Sequence, residues 1–218
     1  MAQSIDYCKN EIKVMLLGDE KVGKTSLLNF YYNTMQTPQL FSITQRFLKV
    51  KEIFENKEYM LNVFEPHCGD IFDFVRRLDT TDVQVFVLCY AVDSRNSFER
   101  IEEKWVGEVH WFVESIPFIL VATKTDLKIS DFVIEYESRL CDFVSTKEGM
   151  MLAKRIGAFA FYEVSRNGFF NVSKVFKKCC ELSELYDVPY QETYKNSEYT
   201  LGCFKKTKAV RKTKKEVM

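Results

Sequence analysis

Gly18-Asp19-Glu20-Lys21-Val22-Gly23-Lys24-Thr25 fits G-x-x-x-x-G-K-[ST] in full. A loop of this pattern turns backbone N–H groups, and the N-terminus of the helix that follows, toward a phosphate. Lys24 would neutralise β- and γ-phosphate oxygens, and the Thr25 hydroxyl would ligate Mg2+. Gly18, Glu20, Lys21, Val22, Gly23 and Ser26 complete the candidate phosphate-binding set. A chance match in a turn is the competing reading. The flanks argue against it, because an apolar run precedes the loop and a helical pattern follows it.

A second segment has the chemistry of base reading. Thr123-Lys124-Thr125-Asp126 follows the apolar run Pro117–Ala122. A carboxylate accepts two hydrogen bonds from the N1–H and N2–H2 of guanine, a donor pair that adenine lacks. The Lys124 stem would lie along the base plane. Alone, such a tetrapeptide reads as a solvated turn. Behind an apolar strand and downstream of a phosphate loop, it is a stronger signal.

These residues need a scaffold, and the hydrophobic pattern supplies one. Glu11–Leu17 is a short apolar run ended by Gly18 and predicts a buried strand. Thr25–Tyr32 predicts the helix after it. Arg46–Phe54 and Glu58–Phe64 alternate around Glu55-Asn56-Lys57, the pattern of a hairpin. Val83–Val92 is almost continuously apolar, as a central parallel strand is. In Ser94–Val113, Phe98, Ile101, Trp105 and Val109 recur at helical spacing. Pro117–Ala122 and Phe159–Val164 predict strands, and Lys147–Ile156 and Gly168–Leu185 helices. The alternation implies an α/β fold, about six mostly parallel strands flanked by helices.

At the phosphate loop and Thr123-Lys124-x-Asp126, the sequence resembles the Ras superfamily of small GTPases, whose guanine motif is [NT]-K-x-D. Several stretches look like Rho and Rac proteins. These are Thr123 in place of Asn, Val85–Tyr90, Asn96-Ser97-Phe98-Glu99 with Lys104-Trp105, and Gly149-x-x-Leu152-Ala153. A helical stretch near Asp131–Phe143 sits where Rho proteins carry an insert helix. The likeness spans roughly residues 11–185 and runs without a gap from Gly18 to Asp126. It implies a P-loop fold of the small GTPase type that binds GTP or GDP with Mg2+. Ser165, with Arg166 beside it, takes the place of the loop that touches guanine O6.

Where the sequence departs from the family, it does so around the γ-phosphate. Glu20 stands where Ras-like proteins carry glycine; its side chain crowds the attacking water and any inserted arginine finger, and its charge repels the phosphate. In the ungapped register the family's D-T-A-G-Q reads Glu65-Pro66-His67-Cys68-Gly69. Glu65 replaces the aspartate that holds a Mg2+ water. Cys68 replaces the hinge glycine at the γ-phosphate and has less backbone freedom. Gly69 replaces the water-orienting glutamine. A shift of one residue would restore Gly69 as the hinge and put Asp70 at the water; the uninterrupted register beyond argues against it. The switch threonine that meets Mg2+ falls on Ile43 by counting, with Thr44 one residue away. The aromatic that edges guanine is replaced by Gln36, and His67 reads as a solvated loop histidine.

Composition bounds the rest. In 218 residues, 46% hydrophobic and 28% charged, a single well-filled domain has its core and global disorder is excluded. No apolar run reaches about 18 residues, and the first residues lack an apolar signal core. Seven cysteines without C-x-x-C spacing read as reduced thiols. Net charge is zero but unevenly spread. Residues 201–218 hold seven basic residues against Glu216, a charge of +6, which leaves −6 on residues 1–200. The chain divides into an extension (1–10), a small GTPase domain (11–185) and a flexible basic tail (186–218).

Lys215 occupies the cysteine position of C-a-a-X, so prenylation is not expected. The basic tail reads as a solvated segment drawn to anionic lipid. Palmitoylation of Cys203 and nuclear import are further readings of it. The expectation is a Rho-like switch with impaired hydrolysis, in cytoskeletal or membrane signalling. It would bind guanine nucleotide, effectors and exchange factors, and no specific nucleic acid. It would be cytoplasmic, with reversible association with the inner face of the plasma membrane. The alternative is a pseudo-GTPase module that recruits partners whatever its nucleotide state.

Overall fold

Two apolar runs form the centre of the sheet. In β1 (Glu11–Leu17), Ile12, Val14 and Leu16 face one side, and Met15 and Leu17 the other. In β5 (Val85–Ala91), Val85, Val87, Cys89 and Ala91 face the first side, and Phe86, Leu88 and Tyr90 the second. Both faces are covered, which is why β5 and the end of β1 read as continuous apolar runs, while the start of β1 still alternates through Glu11 and Lys13. The computed structural model describes residues 10–35, 41–42, 47–66, 82–112, 116–130, 143–165 and 169–185.

Within these residues, seven strands make one sheet in the order β2-β3-β4-β1-β5-β6-β7. The strand beyond the expected six is β2 (Phe41–Ser42), a two-residue partner of β3. β3 (Phe47–Phe54) and β4 (Lys57–Phe64) form the expected hairpin, closing on the pair Phe54 and Lys57. Glu55 and Asn56 take positive φ, as a tight two-residue turn between right-twisted strands requires. β4, β1, β5, β6 (Phe118–Thr123) and β7 (Phe161–Glu163) are mutually parallel. From β1 the chain turns toward β2, β3 and β4; from β5 it turns toward β6 and β7. The crevice at the carboxyl ends, where the connections diverge, is where open α/β sheets bind ligands.

The helices cover the two faces. α1 (Lys24–Met35) and the last helix (Phe169–Leu185) share one core, where Tyr31 stacks on Phe176 at 4.0 Å. Within this core the Tyr31 hydroxyl donates to the buried Glu52 carboxylate, which satisfies both groups. Cys179 and Cys180 are buried there as well. Burial pushes the Cys180 thiol up to about 12 and Cys179 well above the usual thiol range, so both are packing groups.

The other face carries a helical run in three parts: α2 (Arg95–Arg100), a π turn (Ile101–Trp105) and α3 (Val106–Phe112). The sequence pattern predicts one uniform helix; the π turn is visible only in the fold. Ile101, Trp105 and Val109 recur every fourth residue and are all buried. A four-residue step overshoots a 3.6-residue turn by about 40°. The wider π turn, marked by the bond from Val106 N–H to the Ile101 carbonyl, takes up that drift. Downstream come α4 (Asp126–Ser130), α5 (Thr146–Ile156) and α6, the last helix.

α5 opens with a capping box in which Ser145 and Glu148 bond reciprocally. Arg95, and then Ser145, hold the Glu148 carboxyl down at about 2. The expected insert-helix stretch, near Asp131–Phe143, lies outside the described residues up to residue 142. No described helix is long and apolar enough to cross a membrane.

Tyr90 is fully buried, and among the described residues its hydroxyl has no hydrogen-bond partner. Its ring meets Phe98 edge-on at 5.1 Å. Tyr90→Phe keeps that contact and removes a desolvated polar atom. We expect it to raise stability by about 1 kcal/mol, read as a higher urea midpoint at constant slope. A drop of that size would show instead that the hydroxyl is partnered.

Candidate functional site

Two glycines allow the phosphate loop its path. Gly18 has φ +140° and lies so close to β5 that a Cβ would collide with the Cys89 carbonyl. Gly23 has φ +98°, a conformation that strains any side chain. Lys21 also has positive φ, 61°, and with Glu20 it is exposed at the crest of the loop. The loop ends where Leu27 N–H bonds to the Gly23 carbonyl and α1 begins.

The loop, α1 and the end of β4 bring three chemical groups together. Lys24 is 2% exposed, and its Nζ donates to the carbonyls of Gly18 at 2.9 Å and Asp19 at 2.6 Å. Glu65 Oε1 lies 3.7 Å from the same ammonium. Thr25 Oγ1 donates to Glu65 Oε2 at 2.6 Å. A buried ammonium is costly without partners, and the carbonyls and carboxylate supply them. The longer Glu65 side chain therefore reaches the loop from the register position of the family's aspartate. Hard divalent cations take oxygen donors, and the adjoining hydroxyl and carboxylate are that donor set. The residues fit Mg2+, with Thr25 and Glu65 as the groups that would hold it.

The base-reading segment is tied to the phosphate loop from below. Thr123 is 2% exposed, and its hydroxyl donates to the Val22 carbonyl, with the Tyr90 carbonyl 3.0 Å away. Its hydroxyl is spent on joining the two segments rather than facing a base. Lys124 takes φ 57°, and its Nζ meets both Asp93 carboxylate oxygens at 3.0 and 3.1 Å. This places its stem along the rim of the crevice. Asp126 is the first residue of α4 and is half-buried.

Thr125 N–H bonds to the Val164 carbonyl at 3.2 Å, bringing Ser165 to the same end of the sheet. Glu163 braces the junction, accepting from Lys128 at 2.7 Å and from Thr146 at 2.9 Å. The sequence reading did not single out Asp93 or Glu163. Their one local signal is position, two residues beyond β5 for Asp93 and the last residue of β7 for Glu163.

Among the candidate residues, Thr44, Cys68, Gly69, Asp70 and Arg166 lie outside the described residues, as do Gln36, Ile43 and His67.

These groups gather at the carboxyl ends of a doubly covered, mostly parallel sheet, and the Ras family model matches residues 13–185. The chain belongs to the Ras family. Its Ras-family relatives include Rho-related protein racM of Dictyostelium discoideum, 33% identical over 173 residues, covering 79% of this chain and 89% of racM. Rho-related protein racL of the same organism is 35% identical over 175 residues, covering 78% and 88%. The Rho-related GTP-binding protein RhoD of Homo sapiens is 33% identical over 177 residues, covering 79% and 82%. Within the Ras family the chain is thus a small GTPase of the Rho-like kind, a signalling switch by family.

Proposed function

We propose that this protein binds GTP and GDP with Mg2+, selects guanine over adenine, and hydrolyses GTP slowly. The observation that carries the binding is the cluster of Lys24, Thr25 and Glu65, joined through Val22 and Thr123 to the segment that holds Asp126. Lys24 and the loop amides would take the phosphates, Thr25 and Glu65 the cation, and Asp126 the base edge. Bound Mg2+ would neutralise charge between the β- and γ-phosphates. Titration of the purified chain with fluorescent GDP, GTP and ATP tests this. Tight guanine binding with weak ATP binding is expected; equal affinity for ATP, or no guanine binding, would overturn it.

Slow hydrolysis is supported by the exposed Glu20 on the loop crest and by the residues that the sequence register puts at Cys68 and Gly69. Binding and rate then separate, because the binding groups are present and the water-positioning groups are altered. On this reading the partners are guanine nucleotide, exchange factors and effectors in cytoskeletal or membrane signalling. Guanine binding without any nucleotide-dependent partner would favour the pseudo-GTPase module instead.

The tail reading places the protein in the cytoplasm, in reversible contact with the inner face of the plasma membrane. Its support is charge. Seven basic residues within the last eighteen each contribute about 1 kcal/mol near an anionic surface. Phosphatidylserine vesicles are expected to capture the full chain, and not a chain ending at Tyr186, with capture fading as salt is added. Capture that persists at high salt would point to a lipid anchor or an apolar contact.

A further inference from the structure

Among the described residues, the crest of the phosphate loop is flanked by two side-chain anchors, and only one of them lies in a motif that the proposed function uses. Val22 is held by Thr123 on one side of the crest. On the other side, Asp19 is held by the π turn. Trp105 Nε1–H donates to Asp19 Oδ1 at 2.9 Å, and Arg100 Nε lies 3.4 Å from the same oxygen. Trp105 is 1% exposed and the Asp19 side chain 13%, so the contact is largely shielded from water. Glu20 and Lys21, exposed, span the gap between the anchors.

Asp19 also faces inward through its backbone. Its carbonyl accepts the 2.6 Å bond from Lys24 Nζ. Fixing the Asp19 side chain therefore fixes the direction of one of the two carbonyls that seat the ammonium. A buried N–H bonded to a carboxylate is a strong, directional contact. Trp105 closes the π turn, and such turns recur at functional sites.

We propose that Trp105 and Arg100 are positioning residues for nucleotide binding: they hold the Asp19 carboxylate, and so set the loop carbonyls that aim Lys24 at the phosphates. This rests on the guanine-nucleotide reading above. The effect is specific to the part of the ligand that Lys24 meets. It falls on GDP, which carries a β-phosphate, and not on GMP, which lacks one.

The test uses the full chain and competition against a fluorescent guanine nucleotide, with GDP and GMP as competitors. Trp105→Phe keeps most of the ring volume and loses the N–H. It is expected to weaken GDP about tenfold and to leave GMP within twofold, the loss typical of one charge-assisted hydrogen bond. Arg100→Gln, at a partly exposed side chain outside the core, is expected to weaken GDP about threefold with the same selectivity. In an Asp19→Ala background, Trp105→Phe should add nothing further, because its partner is gone.

Equal losses for GDP and GMP would assign Trp105 to packing alone and overturn the inference, as would unchanged GDP binding in both variants. If the wild-type chain binds neither GDP nor GMP, the nucleotide reading falls and this inference with it. Wild-type binding with unaffected variants overturns the inference alone.

Discussion

Single-turnover GTP hydrolysis by the purified chain is expected to be about 10²–10⁵-fold slower than in Rho-related proteins that carry the loop glycine and the switch glutamine. Two losses contribute. Gly69, in the ungapped register, has no side chain to orient water, and Glu20 would crowd the attacking water, as well as any arginine finger that an activating protein inserts. Glu20 is exposed at the crest of the loop, between the anchored residues Asp19 and Val22. A Rho-type activating protein should therefore help little. Glu20→Gly or Gly69→Gln alone should recover little, since the other loss still blocks the transition state. Together they should recover more than the product of the single gains, as groups acting as a unit do. Cys68→Gly is the next change to combine with them, to restore the hinge. An ordinary rate in the unmodified protein would refute the register at Glu65–Asp70 and make Asp70 or His67 the candidate for positioning water.

The second large effect is on base selection. Asp126→Asn is expected to weaken GDP about 10²–10⁴-fold, from the loss of two hydrogen bonds to a charged acceptor at about 1.5–3 kcal/mol each. The same change should improve binding of xanthosine diphosphate, because the new amide donates to the xanthine 2-oxo group. Competition of GDP and xanthosine diphosphate against a fluorescent analogue reads both directions at once. The surrounding braces leave the segment in place: Thr123 on Val22, Thr125 on Val164, and Lys128 on Glu163. A uniform loss for both bases would mean that the substitution disturbs the loop rather than the recognition.

Local sequence determined the parts whose chemistry lies in short-range spacing. The phosphate loop is legible because one loop path needs glycine at Gly18 and Gly23, with Lys24 and Thr25 opening the next helix. The central strands are legible because burial on both faces removes polar residues from β5 and from the second half of β1, Val14–Leu17, and the hairpin because Glu55-Asn56 forms a tight turn.

Tertiary structure alone decided how these parts meet. Thr25 finds Glu65 across 40 positions, Trp105 finds Asp19 across 86, and Thr123 finds Val22 across 101. No local propensity encodes those pairs. They follow from sheet order, which sets β4 and β5 on either side of β1, and from the parallel register that brings the strand ends level. The π turn belongs to the same class. Its sequence carries an ordinary helical pattern, and packing of Ile101, Trp105 and Val109 in the core beneath the sheet accompanies the wider turn, at whose end Trp105 meets the loop.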